Sequence, residues 1–311
     1  MRLRTFSLVV LILVIPSLGL FGTMLVPSAS ADTLKTADSF AVLAGSTVTN
    51  AGSAVLGATV ITGDLGVSPG GACTGFALCD GGPGTINSGT IYLADAGGVA
   101  LQAQNDLSSA FTTLSALALT PTATYTSGVL PSTLGPGVYS VGADATSNLT
   151  GTSLTLTDGG VGGSVFVFVM SSTLITAPDS TIDVSALQPS DSIFWVVDSS
   201  ATLGDNTVFE GNILAHTSIT FDPGATDLCG RALAETALVH FAGQGTASPF
   251  TENQVSIGCT ETTTSAGSNN GFDNTAASTS VPEPGTFALL SSGLLAMVFL
   301  AFRKSRVSPL I

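Results

Sequence analysis

The stretch Ser200–Ala215, SATLGDNTVFEGNILA, is followed almost at once by Ser218–Ala234, SITFDPGATDLCGRALA. These two stretches are one motif written twice, in which Thr202 corresponds to Thr220. A looser copy, SSTLITAPDSTIDV, begins at Ser171. Units of roughly 20 residues built from short strands and turns cannot bury an apolar face alone, so they stack into a continuous core. The stretch therefore predicts a β-solenoid.

Threonines recur in two columns when the three copies are aligned. We take Leu174, Leu203 and Phe221 as the inward positions, which makes their neighbours point outward. The first column is Thr173, Thr202 and Thr220, with Ser172, Ser200 and Ser218 beside it, and the second column is Thr181, Thr207 and Thr226. Threonine is also an ordinary solvent-facing strand residue, and a turn could separate the columns. The pattern alone therefore leaves their role open.

The remainder of the exported domain, residues 32–259, is predicted to be mainly β with one helix. Residues at about 91–117 carry apolar and alanine positions at helical spacing, which predicts a long helix packed beside the solenoid. Residues 70–89 form a glycine-rich stretch, which predicts a cap loop or an insertion. Residues 260–280 lack apolar periodicity and are predicted to be a flexible linker.

The N-terminus has the features of a secretory signal peptide. Arg2 and Arg4 precede an apolar run, and a small-residue pattern ends at Ala31. Residues 1–31 are therefore predicted to be removed on export. An uncleaved membrane anchor is the alternative, and both interpretations place the domain outside the cytoplasm.

The C-terminus, residues 281–311, has three features in a fixed order. The motif VPEP at Val281–Pro284 precedes an apolar segment, Gly285–Phe302, and basic residues follow from Arg303. The segment is long enough to span a bilayer. The arrangement resembles the PEP-CTERM sorting tail of Gram-negative bacteria, which implies recognition by an exosortase-type enzyme, a surface or extracellular location and an association with exopolysaccharide matrix. A plain membrane anchor is the alternative.

The charge of the exported domain excludes some partners. Five of the seven basic residues lie at the two ends of the chain, whereas Glu283 is the one acidic residue of 21 that lies in the tail. The domain thus keeps only Lys35 and Arg231 as cations. Binding to nucleic acid or to an anionic membrane is not expected, because neither would find a basic patch.

Four cysteines, Cys73, Cys79, Cys229 and Cys259, occur in an exported chain, and their even number predicts two disulfides. Three pairings are open. We prefer Cys73 with Cys79, and Cys229 with Cys259. Their spacing does not fit a zinc site, and no metal is predicted.

No catalytic residue or cofactor is predicted. His216 and His240 are the two histidines, and neither lies in a catalytic or metal-binding motif. Arg231 lies opposite Asn212 in the repeat, which suggests a residue on the repeat surface. The aspartates are scattered singly at turns, where they favour turn hydrogen bonds. An enzyme is therefore not expected.

Several phrases, in order along the chain, resemble the microbial ice-binding protein family. They are SFAVLAGSTVTN (39–50), ITGDLGVSPG (61–70), GTIYLADA (89–96), LQAQNDL (101–107), LGPGVYS (134–140) and the repeated blocks already quoted. The resemblance implies a discontinuous β-solenoid with a long helix beside it. It also implies adsorption to ice through one flat face, without catalysis.

The threonine columns agree with that implication, because ice offers an ordered array of water molecules and no charge. The methyl group and hydroxyl of threonine suit such a surface, and its restricted rotamers limit the entropy lost on docking. The threonines of both columns, with Ser200 and Ser218, are thus the predicted ice-binding residues. The alternative is a surface adhesin that binds polysaccharide, although such proteins usually use exposed aromatic residues.

Overall fold

The computed structural model describes residues 33–52, 59–94, 98–142, 149–150, 153–188, 190–228, 230–243 and 256–258. In these residues the chain folds as a solenoid of three parallel sheets with one long helix on its side. The predicted fold class is therefore confirmed. Strands are numbered here in chain order. Short 3₁₀ helices span Lys35–Ser39 and Leu117–Leu119.

A nine-stranded sheet forms the side of the solenoid that faces the helix. In spatial order its strands are β7 (Ile91–Leu93), β4 (Asp64–Val67), β1 (Phe40–Ala44), β21 (Arg231–Ala234), β18 (Asn212–Ala215), β15 (Ser192–Val197), β12 (Val165–Met170), β10 (Gly137–Val141) and β8 (Ala123–Tyr125). Strands β12 and β15 have nearly continuous apolar sequences, VFVFVM and SIFWVV, and β15 is buried throughout.

The other two sides of the solenoid are an eight-stranded and a six-stranded sheet. The eight-stranded sheet consists of β6 (Thr85–Asn87), β3 (Val60–Thr62), β23 (Ser256–Gly258), β20 (Thr226–Leu228), β17 (Val208–Phe209), β14 (Thr181–Ala186), β11 (Ser153–Thr157) and β9 (Thr133–Leu134). The six-stranded sheet consists of β13 (Leu174–Ile175), β16 (Ala201–Leu203), β19 (Ile219–Phe221), β22 (Val239–Phe241), β2 (Thr47–Asn50) and β5 (Ala72–Thr74).

Each complete coil takes one strand from each sheet. The chain runs through β16, β17 and β18, and then repeats the path through β19, β20 and β21. Strand β1, near the start of the described chain, lies between β21 and β4. Strand β2 likewise pairs with β22. The two ends of the described chain thus share one coil, and the solenoid is discontinuous.

The long helix, α1, spans Val99–Ala116. The prediction of a helix from about residue 91 is wrong at its start, because Ile91–Leu93 pairs in register with Leu65–Val67 as an edge strand. A β-branched and aromatic run fits that edge better than a helix. Gly98, with φ 72°, turns the chain into α1. The buried side of α1 packs on the outer side of the nine-stranded sheet through Ala103, Leu107, Ala110, Leu114, Leu43, Val196, Leu214 and Leu233.

The glycine-rich stretch at 70–89 contains two strands, β5 and β6, and is not simply a loop. Together with β7 these strands form the coil that closes one end of the solenoid, since each is the edge of its sheet. Cys73 and Cys79 form the predicted disulfide in this coil. Phe76 is fully buried and packs edge-on against Phe241, with ring centroids 6.1 Å apart. The coil therefore covers the apolar core at this end of the solenoid.

Stacked aromatic rings fill much of the interior of the solenoid. Tyr139, Phe168 and Trp195 are register partners on β10, β12 and β15. Their ring centroids are 5.2 Å apart for Tyr139 and Phe168, and 4.0 Å apart for Phe168 and Trp195. Burial raises the pKa of Tyr139 to about 12. The parallel register places these aromatic side chains at equivalent positions on neighbouring strands, where they form a continuous stack.

Arg231 is fully buried, and its interpretation as a residue on the repeat surface is wrong. It lies opposite Asn212, and its Nη1 donates to Asn212 Oδ1 at 2.7 Å. Its Nη2 is 2.7 Å from Asp38 Oδ1, and its Nε donates to the Asp38 carbonyl at 2.9 Å. The outer position on the nine-stranded sheet is covered here because the N-terminal 3₁₀ helix lies over it.

Several predicted features lie outside the described residues. They are the signal peptide at 1–31, the linker at 260–280, the tail at 281–311 and the pairing of Cys229 with Cys259. In the part of the chain that the structure describes, no helix is both long and apolar enough to cross a membrane.

Candidate functional site

The six-stranded sheet presents a regular row of side chains to the exterior. Parallel register places one residue of each strand in this central row, which runs in the order Ile175, Thr202, Thr220, His240, Thr49 and Thr74. All six are partly or fully exposed. Parallel strands lie about 4.8 Å apart, so the row has a regular repeat along the solenoid axis.

A second outward row, the flanking row, lies two residues earlier along the chain, at the start of each strand or just before it. Its members are Thr173, Ser200, Ser218, Leu238, Thr47 and Ala72. Ser218 Oγ donates to Ser200 Oγ at 2.9 Å. The two rows together form an outward face of small hydroxyl and apolar side chains, with no acidic, Lys or Arg residue among the twelve.

The structure brings Thr202 and Thr220 together as direct register partners, as the first column requires. The placement of Thr173 beside them is wrong. Leu174 pairs with Ala201, so Ile175 is the residue beside Thr202, and Thr173 belongs to the flanking row with Ser200 and Ser218. The alignment misplaced the third copy because Leu174 was matched to Leu203, when it shares a position with Ala201.

The second column lies on the eight-stranded sheet, across a turn from the first. Thr181 and Thr226 both pair with Val208. Thr207 is fully buried, so its prediction as an outward residue is wrong. Its Oγ1 lies 2.8 Å from Thr176 Oγ1 inside the turn. The spacing explains the error, because the step from Thr202 to Val208 equals the step from Thr220 to Thr226.

The face is backed by a packed interior that keeps it rigid. Phe221 and Phe241 stack directly beneath it, with ring centroids 4.9 Å apart. Asn50 is buried at the same level, where its Nδ2 donates to the Gly75 carbonyl at 2.8 Å and its Oδ1 accepts from Thr59 Oγ1 at 2.7 Å. The side chains below the face therefore hold neighbouring strands in fixed register.

Charged groups near the face lie on the turns that border it: Asp198 and Glu235 are on turns from the nine-stranded sheet, and other carboxylates are on turns to the eight-stranded sheet. Asp205 and Asp222 occupy corresponding turns after β16 and β19. Burial raises the pKa of Asp222, and Asp205 acts in the same direction while His240 opposes it. The acidic groups thus border the face and leave its two rows free of negative charge.

The outer side of the eight-stranded sheet is less regular. Its outward row contains Ser153, Thr181, Val208, Thr226, Val60 and Thr85. The register shifts between Thr155 and Thr157, and Asp183 lies next to Thr155. This side therefore combines threonines with a distortion and a carboxylate.

Seven members of the six-stranded face were missed by the sequence interpretation, of which four are polar: Thr47, Thr49, Thr74 and His240. A signal for His240 was available, because LVHF at 238–241 repeats the pattern of SITF at 218–221. Thr49 joins the row through its contact with His240, a residue 191 positions away in sequence. Repeat analysis does not reach such a partner.

His216, the other histidine, has structural partners away from the face. His216 Nδ1 lies 2.8 Å from Glu235 Oε2, and its ring lies 5.8 Å from that of Phe111 on α1. Within the described ranges, no group of three or more His, Cys, Asp or Glu residues could hold a metal ion. The geometry of the described chain thus points to its regular outer face.

Comparisons with known proteins identify relatives over most of the chain. The family model described as Ice-binding-like matches residues 42–245, and the PEP-CTERM protein-sorting motif matches residues 280–306. An ice-binding protein of Nostoc sp. (strain HG1) is 41% identical over 279 residues, which cover 89% of this chain and 88% of that protein.

Solved structures give a similar result. The crystal structure of an ice-binding protein from an Antarctic biological consortium has a TM-score of 0.56 and 37% identity, covering 72% of this chain and 89% of that one. An ice-binding protein from the Antarctic ascomycete Antarctomyces psychrotrophicus has a TM-score of 0.54 and 34% identity, covering 70% and 98%.

Proposed function

Because the chain belongs to the Ice-binding-like family, we propose that it adsorbs to ice through the outward face of its six-stranded sheet and catalyses no reaction. The observation that carries the proposal is the central row. Threonine fills four of its six positions, and all six are held in parallel register. Adsorbed molecules would inhibit the growth or recrystallisation of ice.

The chemistry of the face suits a surface made only of ordered water. Each threonine offers a hydroxyl that can hydrogen-bond to a lattice-like water layer and a methyl group that favours the release or ordering of adjacent water. Threonine has few rotamers, and the packed interior fixes its backbone, so docking costs little entropy. Each contact is weak, and the number of contacts in register supplies the binding.

The six-stranded sheet is favoured over the other two sides of the solenoid. Helix α1 covers the nine-stranded sheet and excludes it from a flat external surface. The eight-stranded sheet has an outward Asp183 and a shift of register beside it. A charged carboxylate would have to give up hydration to contact ice, which is unfavourable. Thr202 and Thr220 therefore belong to the proposed ice-binding site, with Ser200, Ser218 and Thr173 at its side, whereas Thr181 and Thr226 lie outside it.

The C-terminal motif supports export and attachment at the surface of a Gram-negative cell. We propose that Gly285–Phe302 is the anchoring segment and that an exosortase-type enzyme processes the tail.

Binding of exopolysaccharide is the weaker alternative for the domain, because Trp195 and Tyr139 are buried in the core and cannot form a sugar-stacking platform.

The proposal is tested by measuring thermal hysteresis and inhibition of ice recrystallisation with the purified full-length chain. A folded secreted protein of similar mass but unrelated sequence serves as the control. We expect both effects from this chain and neither from the control. If the protein is folded by circular dichroism and lacks both effects, yet is retained on a polysaccharide matrix, the adhesin alternative replaces ice binding.

A further inference from the structure

His240 occupies an unusual position in the central row. Its register partners are Thr220 on one side and Thr49 on the other. Its Nδ1 lies 2.6 Å from Thr49 Oγ1, so the ring is tied to the neighbouring strand and its side chain is part of the face. An ionisable side chain therefore stands in the middle of a row that is otherwise neutral.

The neutral and the protonated forms of histidine differ in their hydrogen bonds to water and in the free energy needed to dehydrate them. A neutral imidazole has one donor and one acceptor nitrogen, and it can take part in a hydrogen-bonded layer much as a hydroxyl does. An imidazolium carries a charge, and both its nitrogens donate. Removing liquid water from a charged group is costly unless an opposite charge replaces that water. Ice provides no such counter-charge.

The groups around His240 come from both neighbouring strands. On the side of β19, Asp222 follows the strand and interacts electrostatically with His240, and Asp205 acts on Asp222 from the next turn. On the side of β2, the nearest groups are Thr49, and Asn50 on the inward side, which carry no charge. A charge on His240 would thus have a carboxylate at one corner and none on the docking surface itself.

We propose that His240 makes adsorption to ice pH-dependent, because the neutral imidazole is compatible with the docked state and the imidazolium is not. This inference rests on the proposed function and adds a chemical condition to the same face. Histidine is the side chain that ordinarily changes charge between about pH 5 and 8. Adsorption should therefore weaken as the surroundings become acidic.

The chain provides a matched control in its other histidine. His216 lies on the turn before β19, outside both rows, with its Nδ1 2.8 Å from Glu235 Oε2. Replacing either histidine by threonine is the same chemical change. His240→Thr also restores the residue type of its neighbours in the row.

The test measures thermal hysteresis of the full-length wild type, His240→Thr and His216→Thr at pH 8 and at the lowest pH near 5 at which circular dichroism shows all three folded. Wild type and His216→Thr should lose most of their thermal hysteresis at the lower pH. His240→Thr should be equally active at both. Equal wild-type activity at both pH values, or an undiminished pH effect in His240→Thr, overturns the inference and leaves ice binding intact. Absence of wild-type activity at both pH values overturns the proposed function instead.

Discussion

Replacing Asp38 with asparagine removes the negative charge that faces the buried Arg231. Arg231 is fully buried, and the Asp38 side chain is 22% exposed. Burial raises the pKa of Asp38 more than Arg231 lowers it, so the pair gives little stability relative to neutral residues. Removing only one partner is destabilising, because Asp38→Asn leaves the guanidinium charge buried without its nearest counter-charge.

The expected loss of folding free energy in Asp38→Asn depends on the contacts that remain to Arg231. Removal of one partner from a buried ion pair costs about 3–5 kcal/mol. An amide oxygen at position 38 can still accept from Nη2, and the backbone carbonyl still accepts from Nε, so we expect about 2–3 kcal/mol. For a domain of this size, that lowers the melting temperature by roughly 4–12 °C.

The assay is thermal unfolding followed by circular dichroism at pH 7. Asp198→Asn is the matched control, because Asp198 is exposed and the exchange is the same. The control should change stability by less than about 0.5 kcal/mol. If Asp38→Asn melts at the same temperature as Asp198→Asn, Arg231 does not depend on Asp38, and the reasoning about this buried charge is refuted.

Two further predictions concern the core and the terminal coil. Asp227 is fully buried, and burial raises its pKa well above the ordinary value, so the folded state keeps a proton that the unfolded chain releases. The protonated Asp227 therefore contributes fully to the free energy of unfolding below the unfolded pKa, and this contribution is lost as pH rises through the folded pKa. In urea unfolding, Asp227→Asn should lose less stability than wild type between pH 4.5 and 7.5. The same dependence of stability on pH in both proteins would contradict this. Replacing Cys73 and Cys79 together by serine should cost about 2 kcal/mol by opening the loop of the terminal coil, as measured by denaturant unfolding. The same variant should weaken ice activity through Thr74 on β5, and full activity with full stability would show that the coil does not need this bond.

The predictable part of the fold was the part encoded locally. The doubled segment around Thr202 and Thr220 contains its own strands and turns, and stacking follows because one unit cannot bury its apolar side. The alanine-rich spacing in α1 likewise predicted a helix. Only its start was wrong, where Ile91–Leu93 gains more from pairing with β4 than from extending the helix.

The site was less predictable, because the register of its rows depends on how many residues each turn between two sheets contains. Thr207 and Val208 differ by one position, yet one is fully buried and the other is 38% exposed. His240 and Thr49 become neighbours only when β2, near the start of the described chain, pairs with β22, near its end. Arg231 is buried by the N-terminal 3₁₀ helix, which lies far from it in sequence. These outcomes depend on non-local packing that a repeat pattern does not contain.

The most direct test of the ice-binding face compares two variants within one coil, Thr220→Tyr on the six-stranded sheet and Thr226→Tyr on the eight-stranded sheet. Both threonines are partly exposed and point outward, and tyrosine adds the same bulk to each. With circular dichroism confirming both folds, thermal hysteresis should fall to a small fraction of the wild-type value in Thr220→Tyr and stay close to it in Thr226→Tyr. Undiminished activity in Thr220→Tyr together with loss in Thr226→Tyr would contradict the assignment and move the docking face to the eight-stranded sheet.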